Sequence, residues 1–171
     1  MKKRIVIALV AFALGFLAAF YARFEMLSNQ LEADGLRGGA ANAIKHAYAA
    51  AEVYDTLRTL RLPPHESLQA VIYLGYANEY AEKITKFAKL DPHAEIKKDL
   101  YNNLAGITVA RWHETHGNQP VLNSLITLAK KETLVVEREN LPFDGPANPF
   151  AWFDGHRVDI QQRVESGLSG Q

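Results

Sequence analysis

Cysteine is absent from the 171 residues. Disulfide staples, thiolate metal sites and cysteine nucleophiles are therefore excluded. A basic face is missing as well. Lys and Arg total 19 and Asp and Glu total 19, but the positive charge is concentrated at the start. Lys2, Lys3, Arg4 and Arg23 are the only charged side chains before Glu25. Taking these four from the 19 basic residues leaves 15 against 19 acidic ones, a net charge of −4 for the rest. Nucleic acid needs a basic stripe, so that partner class is excluded. No stretch alternates apolar and polar residues as a half-buried strand would. No glycine-rich phosphate loop occurs, and no nucleophile elbow surrounds Ser67, Ser124 or Ser166. Internal repeats and low-complexity tracts are also lacking.

What is present begins with an apolar run of 18 residues, Ile5 to Ala22, behind Lys2-Lys3-Arg4. At about 1.5 Å per residue it is just long enough to cross a bilayer core. A cleaved signal peptide usually has a shorter apolar region and an A-x-A-like end. Leu17-Ala18-Ala19-Phe20-Tyr21-Ala22 is a poor processing site, so the run reads as an uncleaved signal anchor. Positive charge stays inside. The N-terminus is then cytoplasmic, in the bacterial inner membrane, and Glu25 onward faces the periplasm or the outside. Tyr21 and Arg23 suit the outer membrane–water interface.

Residues 1–35 are expected to be this anchor and a juxtamembrane segment, closed by Asp34-Gly35 and Gly38-Gly39. Residues 36–140 then form the helical domain. Ile44, Ala47, Tyr48, Ala51, Tyr54 and Leu57 recur at helical spacing over 40–60. Leu62-Pro63-Pro64 ends that element. The second helix is expected over 66–89, with Leu68, Val71, Ile72, Leu74, Gly75, Asn78, Ala81 and Ile84 toward the core. The third covers 94–116, with Ile96, Leu100, Asn103, Leu104, Ile107 and Arg111 on one stripe, stopped by Gly117 and Pro120. The fourth covers 121–138. The fold class is therefore all-α: a transmembrane helix, then a four-helix bundle-like domain with short connections. Residues 141–171 form an aromatic, proline-rich tail that wraps the bundle. A short helix is expected from Arg157 to Glu165, with a frayed end after it.

Polar residues inside apolar stripes carry the chemistry. Asp99 and Asn103 are four apart and share a helix face, with Gly106 leaving space beside them. Glu79 lies near the buried side of its own helix. His46 sits among small residues of the first helix, in line with Asn42, Ala49, Ala50 and Val53. Buried polar groups must find partners, so His46, Glu79, Asp99 and Asn103 are expected to converge. One reading is a structural knot that sets helix register. The other is a site, in which a histidine and two carboxylates hold a divalent metal or act as general acid and base. His113-Glu114-Thr115-His116 departs from the zinc-protease pattern, whose histidines are four apart. It reads as a helix C-terminus, where a cationic histidine suits the dipole.

The segments from Gly39 to Tyr48, from Leu74 to Glu79 and from Asp99 to Gly106 together resemble a bacterial all-helical domain family. That family occurs in exported proteins and at the ends of toxin-like or wall-associated chains, and it has no settled function. Its pattern is roughly D-A-F-R-H-A-Y, then G-x-x-H-E, then M-D-L-x-N-N-x-x-G. His46, Tyr48, Glu79, Asp99, Asn102, Asn103 and Gly106 match it. Asn42 stands for the acid, Lys45 for the arginine and Asn78 for the second histidine. The resemblance spans about residues 38 to 107. It implies a site at a three-helix junction, with Asn42, Tyr48, Asn102 and Asn103 around His46, Glu79 and Asp99, and no particular reaction. Two functions follow as expectations. One is a membrane-anchored accessory or ligand-binding domain, working with a cell-envelope component or a protein partner. The other is an envelope hydrolase acting on a wall or lipid substrate through the same three residues.

Overall fold

The computed structural model describes residues 25–85, 92–117 and 120–169. The expected anchor, Ile5 to Ala22, lies outside them. Among the described residues no helix is long and apolar enough to cross a membrane, and no strand is formed. The chain divides into two units, Met1–Arg37 and Gly38–Gln171. Within the first, residues 25–33 are helical. Gly35 closes them at φ 75°, and the Leu36 N–H donates back to the Leu31 carbonyl over 2.8 Å. Glycine takes that left-handed conformation without a β-carbon penalty.

The described residues of the second unit form α1 (Gly38–Thr59), α2 (Pro64–Thr85), α3 (Pro92–His116), α4 (Val121–Lys130) and α5 (Pro149–Ser169), with a 3-10 turn at Arg138–Asn140. The all-α class and the helical bundle follow directly. Pro64, Pro92 and Pro149 each stand at the first helical position, where a missing N–H costs nothing and φ is already set.

The third helix is the hub: α3 packs on α1, α2, α4, α5 and the 3-10 turn. Residues 98–102 and 104–110 are all buried, so α3 is covered nearly all round rather than along one stripe. Lys98 sits among them, paired to Glu95 at 2.6 Å, while Arg111 is exposed. On α1, Ile44, Ala47, Ala51 and Tyr54 are fully buried, as their spacing predicts. On α2, Val71 and Ile72 are buried but Leu74 is 57 % exposed and Asn78 is exposed too. The core face of α2 is thus narrower than expected.

Two elements differ from the expected bounds. The fourth helix stops at Lys130 instead of 138. Glu132 turns into the left-handed region at φ 55°, and the Thr133 N–H bonds back to the Leu128 carbonyl over 2.9 Å. Residues 133–136 then leave helical geometry and lie along α3. Tyr101 donates to the Thr133 carbonyl at 2.8 Å. Asn102 donates to the Val135 carbonyl at 2.8 Å and accepts from the Val135 N–H at 3.0 Å. The last helix begins at Pro149 instead of 157 and runs to Ser169, with Leu168 buried, so the end expected to fray is helical through Ser169. Asn148 caps it, its Oδ1 accepting from Phe150 N–H at 3.0 Å and Ala151 N–H at 3.1 Å. Trp152 and Phe153, placed in the wrapping tail by sequence, belong to this helix and are fully buried. The proline-rich segment before it is held by Trp152 Nε1, which donates to the Phe143 carbonyl at 3.0 Å.

Candidate functional site

Three helices each contribute one side chain to a single polar centre: His46 from α1, Glu79 from α2 and Asp99 from α3. One ligand atom from each lies within 4.8 Å of the others. His46 Nε2 stands 3.5 Å from Asp99 Oδ1. Glu79 is 2 % exposed and Asp99 8 %, whereas the His46 side chain keeps 23 % of its surface. The carboxylates are therefore the floor of the centre and the imidazole its solvent-facing member. Glu79 also accepts from Asn78 Nδ2 at 3.3 Å.

Glycine permits this approach. A β-carbon on Gly106 would fall 1.7 Å from the carbonyl oxygen of Ala47, the residue after His46. No side chain fits there, and the backbones of α1 and α3 meet because of it. On the α2–α3 contact, a β-carbon on Gly75 would lie 3.3 Å from Asn103 Nδ2. Gly75 is one turn before Glu79, and Asn103 one turn after Asp99, so Asn103 sits one turn along the same helix contact. It is half-buried rather than sealed in the core.

The other residues named from sequence are placed as follows. Asn102 is wholly buried and spends its side chain on a pair of bonds to Val135, holding the 133–136 segment. Asn42 is exposed on α1, one turn before His46. Tyr48 is half-buried, two residues beyond His46 and so about 200° round the helix from it.

Two carboxylates in one buried site repel, and burial penalises each charge further. Such a site is neutralised by a protonated imidazole, by a shared proton or by a cation. A histidine nitrogen with two carboxylate oxygens is a donor set that suits divalent transition metals. The same set supports proton transfer, with the imidazole as the exchangeable group.

One further polar pair escaped the sequence. His113 Nε2 lies 3.0 Å from the buried Ser124 Oγ. These residues are 11 apart, on different helices, and no local motif announces them. No family model, curated protein or solved structure matches this chain.

Proposed function

We propose that the chain is a membrane-anchored extracytoplasmic helical domain whose His46–Glu79–Asp99 centre holds a divalent cation and, through it, a ligand. The carrying observation is the convergence of three donor atoms from three helices within 4.8 Å, two of them on buried carboxylates. A cation offsets the mutual repulsion of those carboxylates and uses the histidine as its third donor. The apolar run behind Lys2-Lys3-Arg4 supports the anchor and its orientation, and the resemblance to helical domains of exported chains supports the compartment.

Calorimetric titration of the full chain in detergent with Mn²⁺, Zn²⁺ and Mg²⁺ tests the reading. At least one ion is expected to bind stoichiometrically and to raise the unfolding midpoint, as any ligand specific to the folded state must. Glu79→Gln and Asp99→Asn each remove one anionic donor and are expected to lower affinity by at least tenfold. Equal cation affinity in wild type and both variants would overturn the site.

A second reading is favoured by the partial exposure of His46. In it the imidazole acts as general base in an envelope hydrolase, with Asp99 orienting the ring across 3.5 Å. Hydrolysis of wall or lipid substrates that is lost in His46→Gln, while cation affinity falls only modestly, would select this reading.

A further inference from the structure

A cavity of about 250 Å³ opens where the C-terminus of α3, the start of α4 and the end of α5 meet. Trp112, His113, His116, Ser124, Leu168 and Ser169 line it. The indole of Trp112 and the imidazole of His116 stack with centroids 3.8 Å apart and planes 8° apart. His116 Nδ1 lies 3.1 Å from the Trp112 carbonyl oxygen and 2.7 Å from Thr115 Oγ1, which fixes that ring plane. The wall is therefore flat and rigid, and Leu168 adds an aliphatic side. Into this space, whose lining is polar as much as apolar, the sequence sets one reactive pair, Ser124 Oγ and His113 Nε2, 3.0 Å apart.

A serine hydroxyl becomes a nucleophile when a base stands within about 2.6–3.2 Å of it. The His113–Ser124 distance meets that requirement. Ser124 lies in the opening turn of α4, where the helix dipole favours negative charge developing on Oγ. The cavity is smaller than the roughly 300–1,000 Å³ of sites for drug-sized ligands, so its ligand is small. The pair is separate from the carboxylate centre: His113 stands 14 positions after Asp99 along α3, about 21 Å at about 1.5 Å per residue.

We propose that Ser124 and His113 form a nucleophile–base pair that hydrolyses short-chain carboxylic esters in this cavity. Ser124 Oγ forms a bond to the ester carbonyl carbon as His113 Nε2 takes the hydroxyl proton. The bond from that carbon to the alcohol oxygen breaks, and His113 returns the proton to the departing alcohol. Water, deprotonated by His113, then attacks the acyl-serine. The carboxylic acid leaves and the Ser124 hydroxyl is restored with the proton that His113 held.

The full chain in detergent is treated with a fluorophosphonate probe, and the adduct is mapped by peptide mass spectrometry. The expected result is an adduct on Ser124 in wild type, lost in Ser124→Ala. Hydrolysis of p-nitrophenyl butyrate is expected in wild type. It is expected to fall by about 10²-fold or more in His113→Gln. The wild-type adduct map needs no variant to fold. Folded wild type left unmodified at Ser124, or ester hydrolysis equal in wild type and Ser124→Ala, overturns the proposal.

Discussion

Gly106 is the residue with least freedom. Its missing β-carbon would overlap the Ala47 carbonyl oxygen, and neither backbone can retreat without parting α1 from α3. Gly106→Ala is therefore expected to cost at least the upper end of the roughly 1–3 kcal/mol typical of overpacking. Urea unfolding measures it, and a loss below about 1 kcal/mol would show that the two helices slide apart cheaply. Asp55 is a residue under a different load. Burial first, then the Glu52 and Glu114 charges, push its carboxyl up to about 6 from an ordinary 3.8. The folded state thus holds this proton more tightly than the unfolded chain does. Stability tied to Asp55 is intact below about pH 4 and is lost as pH rises to about 6. Asp55→Asn is expected to raise the thermal midpoint at pH 8, with the gain shrinking toward pH 4. A gain independent of pH would rule out the carboxylate as its source. At this scale the sequence revealed His46, Glu79 and Asp99, because helical spacing turns each toward a neighbouring helix. It did not reveal the Ser124–His113 contact, which depends on how α4 packs against α3, and spacing within either helix says nothing of that.

Among the elements, the early end of α4 shows why periodicity misleads. Leu134, Val135 and Val136 continue an apolar pattern that suits a helix, yet the Thr133 carbonyl and both backbone groups of Val135 are claimed from outside. Asn102 supplies both a donor and an acceptor to Val135, as a neighbouring strand would. That tertiary competition is invisible to a window of sequence. The start of α5 was missed for another reason, although Asn148-Pro149 is a cap followed by a proline at the first helical position. The aromatics clustered around it obscured the signal. Asn102→Ala leaves the Val135 N–H and carbonyl without their buried partners. It is expected to destabilise the domain by about 2–3 kcal/mol and to speed hydrogen exchange of the 133–136 amides first. Uniform exchange across α3 and this segment would mean that the asparagine is not what pins it.

For the whole molecule, composition and spacing conveyed the all-helical class and most helix bounds in the Gly38–Gln171 unit, because proline and glycine punctuate the chain where helices must stop. The proposed topology is tested at the same scale. A reporter fused after Gln171 is expected to be active only outside the cytoplasm, with the full-length protein in the membrane fraction. A shorter form released from the membrane would identify a cleaved leader instead.

The placement of α5 on the hub helix bears on how the fold is made. Synthesis runs from the N-terminus, so α1 to α4 emerge while one flank of α3 is still bare. That flank closes only when residues 149–169 arrive and Trp152, Phe153, Ile160, Val164 and Leu168 take their buried places. Until then the nascent domain carries an open apolar seam, a surface for holding chaperones. A chain stopped before Pro149 would keep that seam permanently and be marked for proteolysis, even though every residue of the His46–Glu79–Asp99 centre is already present in it.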